Sequence, residues 1–103
     1  MFARTVRMQL KPNSGAEFTR MVEKEVIPLL RMQPGFKDEI TFLPSDGKEA
    51  VAISLWEQQE NAEAYQRGAY PDVLKAVANV IEGTPQVHTS EVSNSTWHKI
   101  AAR

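Results

Sequence analysis

The placement of proline and glycine constrains this chain more than any other feature. Turn-forming clusters fall at Pro12-Asn13-Ser14-Gly15, Gln33-Pro34-Gly35, Pro44-Ser45-Asp46-Gly47, Gly68 to Pro71, and Glu82-Gly83-Thr84-Pro85. They cut the chain into six segments, each long enough for only one strand or helix. Residues 2–11 alternate, with Phe2, Val6, Met8 and Leu10 on one face and Thr5, Arg7, Gln9 and Lys11 on the other, which is a strand with one buried side. Arg4 breaks that pattern by falling on the apolar side. Residues 14–32 carry an apolar stripe at helical spacing, through Phe18, Met21, Val22, Val26, Leu29 and Met32. Ser14 and Glu17 have the spacing of a capping box, and Pro28 predicts a kink or an early end.

Residues 36–43 read as a second strand with Phe36, Ile40 and Phe42 in phase. The Asp46-Gly47 turn then leads into Ala50–Trp56, the clearest strand in the chain, so these two strands are expected to pair antiparallel. A helical region over 61–81 is interrupted by Gly68 and Pro71, which predicts two pieces, 61–68 and 71–81, with Asn61 as N-cap and Gly83 closing the second. Residues 86–93 form a last strand, with a possible extension through Trp97 to Ile100. The order β-α-β-β-α-β matches the split βαβ, ferredoxin-like arrangement: a four-stranded antiparallel sheet with both helices on one face. The expected open face carries Ala3, Thr5, Gln9, Thr41, Ala50, Ala52, Ser54 and Trp56. It is too small-residued and too weakly charged for water, so a second copy of the chain is expected to cover it as a homodimer.

Composition narrows the function classes. At 103 residues, with 42% hydrophobic and 24% charged side chains, the chain reads as one globular domain over 1–103. A net charge of −1 argues against a protein that tracks nucleic-acid phosphates. The absence of cysteine removes disulfides, thiolate metal sites and thiol nucleophiles. No apolar run approaches membrane-spanning length, and no secretion signal is visible, so a cytoplasmic location without membrane contact is the expectation. His88 and His98 have no acidic neighbour at ligand spacing, so no metal site is expected. There is no nucleophile elbow and no glycine-rich phosphate loop. Glu57, Glu60 and Glu63 are read as charges favoured by a helix N-terminus.

The remaining polar candidates are Arg4, Tyr65, Tyr70 and His88. A buried Arg4 needs an anionic partner or a ligand; the alternative is that it reaches water from the strand end. Tyr65 and Tyr70 bracket the Gly68–Pro71 break, where a mouth is expected to open onto a cavity walled by Phe18, Met21, Phe42 and Leu74, with Trp56 as a further pocket candidate. Core packing is the competing account of all these aromatic residues.

Several of these segments resemble a known family. Pro34-Gly35-Phe36 closes the first helix, Ala52-Ile53-Ser54-Leu55-Trp56-Glu57 follows, Tyr65 lies in the next helix, and Glu91-Val92 ends the last strand. Over roughly residues 2–93 this resembles the antibiotic biosynthesis monooxygenase-like domain of the dimeric α+β barrel superfamily. The resemblance implies a homodimer with facing sheets and a pocket between each sheet and its helices. It also implies either oxidation of small aromatic or quinol substrates by dioxygen without metal or flavin, or haem degradation. The haem-degrading branch uses a histidine on the second helix, where this chain reads Asp72-Val73-Leu74-Lys75-Ala76-Val77-Ala78-Asn79, so haem is disfavoured. The expected function is a cofactor-independent monooxygenase. The alternatives are a non-catalytic homodimeric small-ligand-binding or accessory protein, and a metabolite-binding regulator.

Overall fold

The computed structural model describes residues 1–100. Its elements follow the order β1 (Phe2–Leu10), α1 (Gly15–Met21), a π-helical turn (Val22–Val26), α2 (Ile27–Arg31), β2 (Phe36–Phe42), β3 (Glu49–Trp56), α3 (Gln59–Arg67), α4 (Tyr70–Val77) and β4 (Ile81–Glu91). The strands form one antiparallel sheet in the order β2-β3-β1-β4, open at both edges, and the helices pack on one face. This is the ferredoxin-like α+β arrangement that the turn spacing implies. Among the described residues no helix is long and apolar enough to cross a membrane.

Alternation in β1 is as expected. Val6, Met8 and Leu10 are buried beneath the helices, and Arg4 lies with them, only 2% exposed. The first helical stretch neither breaks nor ends at Pro28. Instead the turn before it widens, and the Ile27 N–H bonds to the Val22 carbonyl five residues back. Pro28 then sits at the start of α2, where its missing N–H and bulky ring are tolerated. Ser14 does not cap α1. Its backbone has φ −103° and ψ 2°, not the extended geometry that aims a capping oxygen at the first turn, and its hydroxyl faces the Pro12 carbonyl at 3.4 Å.

The phase of β3 and of the edge strand β2 differs from the expectation. Val6 pairs with Ala52, Arg4 with Ser54 and Phe2 with Trp56, so Ala50, Ala52, Ser54 and Trp56 face the helices. Val51, Ile53 and Leu55 take the open face. On β2, Phe36 stands opposite Trp56 but Asp38 stands opposite Leu55, leaving Lys37 as an extra residue in a bulge. That bulge reverses the phase of everything after it. Glu39 and Thr41 turn toward the helices, while Ile40 and the 51%-exposed Phe42 turn outward. The open face therefore carries Ile40, Phe42, Val51, Ile53 and Leu55 in place of Thr41, Ala50, Ala52, Ser54 and Trp56, whereas Ala3, Thr5 and Gln9 of β1 lie on it as predicted.

Asn61 is not the N-cap of α3. That position belongs to Gln58, whose N–H donates to Asn61 Oδ1 at 3.1 Å. The chain leaves α4 earlier than expected, at Val77, and Ile81 already pairs with Leu10 in β4. Gly83, at φ +68°, belongs to an irregularity in β4 instead of closing a helix. Pro85, which has no N–H for the ladder, lies in the same stretch. The last strand ends at Glu91, and residues 92–100 are irregular. There the Trp97 N–H donates to Ser95 Oγ at 2.9 Å, and the His98 ring contacts the Asp38 carboxylate.

Candidate functional site

Small side chains on β3 leave room beneath the helices. Ala52 and Ser54 form the floor of a cavity of about 50 Å³. Phe18, Val22, Val26 and Leu30 wall it from the first helical stretch, and Tyr65, Tyr70, Leu74 and Val77 from α3 and α4. The wall is mostly apolar, and its polar groups gather at one end. There, Glu39, Ser54 and Arg4 form a single row across β2, β3 and β1, because Ser54 is the register partner of both the others. Adjacent strands lie about 4.8 Å apart, so the Glu39 and Arg4 backbones stand about 10 Å apart with only a serine between them.

Arg4 is the unusual member. Its guanidinium donates through Nη2 to Gln66 Oε1, and its carbon lies 4.0 Å from the Tyr70 ring centroid and 5.0 Å from that of Tyr65. These are cation–π distances. Yet Arg4 makes no salt bridge with any carboxylate among the described residues, and its Nε is buried without a hydrogen-bond partner. Burial lowers its pKa, against the raising influence of Tyr65 and Tyr70. A guanidinium that still carries its charge, with a donor left over, is a site prepared for an anion. Arg4 also borders an open groove of about 300 Å³ lined by Glu63, Gln66, Arg67 and Thr89. The Arg4–Gln66 pair thus stands between that groove and the inner cavity.

Glu39 faces the same space. Burial raises its pKa, opposed by the hydrogen bond that the Thr41 hydroxyl donates to Oε2 at 2.5 Å. Burial also pushes the Tyr65 phenol up to about 12, so that ring stays neutral at ordinary pH. The Trp56 indole N–H donates to Ser54 Oγ at 2.9 Å.

The candidates named from sequence separate into two groups. Arg4, Tyr65, Tyr70, Phe18 and Leu74 meet around the cavity. Trp56 is fully buried one row away, edge-on to Phe36 with centroids 5.6 Å apart and 5.0 Å from the Tyr65 ring. Met21 packs on the rim of the core and does not reach the wall. Phe42 is on the far face because of the Lys37 bulge. His88 is there too: it pairs with Thr5 and is exposed, with the sheet between it and the cavity. Tyr65 and Tyr70 are 3% and 6% exposed, so they close the inner side of the α3–α4 break instead of framing an open mouth. Glu39, Thr41, Ser54 and Gln66 were not among the candidates. The first three became visible only with the register, and Gln66 only with its bond to Arg4.

No family model matches the chain, and no curated protein matches its sequence. Solved structures do match. NE2512, a protein of unknown function from Nitrosomonas europaea, superposes with a TM-score of 0.76 at 19% identity, over 98% of this chain and 94% of that one. A putative antibiotic biosynthesis monooxygenase from Bordetella bronchiseptica gives 0.77 at 18% identity, over 90% and 97%. SnoaB, a cofactor-independent oxygenase from Streptomyces nogalater, gives 0.73 at 15% identity, over 92% and 95%. The chain therefore has the fold of the antibiotic biosynthesis monooxygenase-like proteins.

Proposed function

We propose that the cavity is the active site of a cofactor-independent monooxygenase acting on a small aromatic or quinol substrate. The observation that carries this reading is the buried Arg4 guanidinium, with no anionic partner and a free Nε among the described residues, at one end of an aromatic-walled cavity. A phenol or hydroquinone that loses its hydroxyl proton there becomes an electron-rich anion paired with Arg4. Such an anion can pass one electron to dioxygen and then join the resulting superoxide at a ring carbon, forming a peroxide. Protonation of the peroxide and loss of water leave a carbonyl. One oxygen atom enters the substrate and the other leaves as water with two substrate hydrogens, so the substrate supplies all the electrons. The oxygenase activity named for SnoaB is of this cofactor-free kind and supports the reading by likeness of fold. Tyr65 and Tyr70 are proposed to hold the substrate ring. The Arg4–Gln66 partition is proposed to swing aside for entry from the outer groove.

A homodimer formed through the open sheet face belongs to the same proposal. Ile40, Phe42, Val51 and Ile53 are partly or fully exposed on that face, and large β-branched and aromatic side chains there favour burial against a second sheet.

The test is oxygen uptake with a panel of hydroquinones and anthrones and no added cofactor. The expected result is one dioxygen consumed per carbonyl formed, lost in Arg4→Met. Uptake unchanged by Arg4→Met overturns the reading. One observation favours the second reading, a non-catalytic ligand-binding or accessory protein. The cavity measures about 50 Å³, whereas an engineered cavity that binds benzene holds about 150 Å³. Under that reading small phenols bind or are excluded, and no oxygen is consumed.

A further inference from the structure

We infer that Glu39 is the proton acceptor of this cavity, taking the hydroxyl proton of a bound phenol and thereby restricting the site to ligands with an ionisable hydroxyl. Among the described residues Glu39 is the only carboxylate in the cavity wall. It is there because of one backbone feature, the Lys37 bulge, which turns Glu39 inward and Asp38 outward. Its Oε2 is held by the Thr41 hydroxyl, which fixes the carboxyl plane. No hydrogen bond is made to Oε1 among the described residues, so that oxygen is available to a ligand.

The row Glu39–Ser54–Arg4 supplies the rest of the argument. Opposite charges in one cavity ordinarily pair, yet these two stand on either side of a serine and make no salt bridge. A neutral hydroxyl placed over Ser54 lies between a proton acceptor and a cation. Transfer breaks the ligand O–H bond and puts the proton on Glu39 Oε1. The electron pair stays on the ligand oxygen, beside Arg4. The net charge of the cavity is unchanged, and the negative charge has moved from the wall to the ligand. Burial favours the same direction, because it favours the protonated form of Glu39. On the oxygenase reading above, the stored proton is returned to the peroxide oxygen, and Glu39 ends each cycle ionised again. That catalytic half rests on the oxygenase reading, whereas the proton transfer on binding does not.

The other titratable groups facing this space are Arg4, Tyr65 and Tyr70. Arg4 keeps its proton throughout the neutral range, and the Tyr65 phenol is pushed up to about 12. Tyr70 is controlled by substitution.

The experiment is equilibrium binding of 4-nitrophenol, which is too electron-poor to react with dioxygen, followed by its absorbance between pH 8 and 9. There the free ligand is an anion, so binding beside Glu39 requires uptake of one proton. Wild-type affinity should fall about tenfold per pH unit, and Glu39→Gln should bind with affinity independent of pH. Tyr70→Phe should retain the wild-type slope. A flat wild-type profile, or a slope that survives in Glu39→Gln, overturns the assignment. The Glu39→Gln side chain keeps the shape and the Thr41 contact; if that variant fails to fold, the absorbance of the bound ligand decides, because a ligand that has given its proton to Glu39 shows the phenolate band and a bound neutral phenol, which would overturn the assignment, does not. A flat slope alongside cofactor-free oxygen uptake refutes Glu39 and leaves the oxygenase reading standing. The expected slope without oxygen uptake does the reverse. No binding by wild-type protein refutes both.

Discussion

Filling the cavity should make the protein more stable and less able to bind. Ala52 lies on its floor in an interior strand, with its Cβ toward the helices. A residual void costs about 24 cal/mol per Å³, so a cavity of 50 Å³ holds about 1.2 kcal/mol of unrealised packing. Ala52→Val adds two methylene equivalents, worth about 1.6 kcal/mol on complete burial. The two routes agree on a gain of about 1.2–1.6 kcal/mol, and valine suits a strand. For a domain of this size that raises the melting temperature by about 5–10 °C. Thermal melting followed by circular dichroism measures the first quantity, and 4-nitrophenol titration measures the second. The expected pair is a higher melting temperature with binding weakened more than tenfold. Overpacking typically costs about 1–3 kcal/mol, so a lower melting temperature would show that no usable space exists over Ala52. A higher melting temperature with binding intact would show that ligands sit elsewhere. Either result refutes the reasoning. The expected pair would mean that the void is kept at the expense of stability, as functional sites commonly are.

Other outcomes can be stated as briefly. Gly35 has φ +77°, and a Cβ there would lie 2.2 Å from Asn61 Cγ. Gly35→Ala should therefore cost about 2–4 kcal/mol in denaturant unfolding, from backbone strain and displacement of the Asn61 side chain that accepts from the Gln58 N–H, and Asn61→Ala in the same background should recover part of it. Because burial raises the Glu39 pKa, its favourable contribution is complete below the ordinary carboxylate range and is lost as pH rises through the folded value. Glu39→Gln should accordingly be more stable than wild type at pH 7.5, and that advantage should shrink on acidification; unfolding titrations in which it grows would contradict the burial of this carboxyl. Sedimentation should report about twice the 11.6 kDa chain mass, and Ile53→Glu, which places a charge on the open face, should return the protein to monomer. Tyr70→Phe should weaken binding of a phenolic ligand while shifting the melting temperature by only a few degrees, as measured by parallel titration and melting.

How much of this was legible in the sequence depended on whether a strand has one apolar face or two. In β1 the polar residues alternate with the apolar ones, so the burial of Val6, Met8 and Leu10 and the oddity of Arg4 could both be read directly. In β3, Ala50–Trp56 is apolar on both faces, and alternation carries no phase. Side-chain size was then the available signal: Val51, Ile53 and Leu55 against Ala50, Ala52 and Ser54. Small residues fit a close sheet-to-sheet contact as well as a cavity floor, and the floor proved to be their role. In β2 no residue announces the Lys37 bulge, so Thr41 was placed on the wrong side along with Phe42, and Glu39 was not seen to face the cavity. The helix break at Gly68–Pro71 was legible from its chemistry. That its tyrosines would turn inward onto Arg4 was not, because ring direction depends on how α3 and α4 pack over β1.

The π-helical turn has a consequence for the angular bearing of the cavity wall. Phe18, Val22, Val26 and Leu30 are each four residues apart, and all four face the cavity. In a uniform α-helix a step of four overshoots a full turn by about 40°, so a stripe of this spacing would drift by about 120° between Phe18 and Leu30. The wider turn over Val22–Val26 rotates the chain less per residue and cancels part of that drift. Deleting one residue from this turn would leave its side chains almost unchanged in kind, yet would swing α1 about 100° relative to α2 and carry Phe18 out of the wall. The wall is therefore set by helical phase as much as by residue identity.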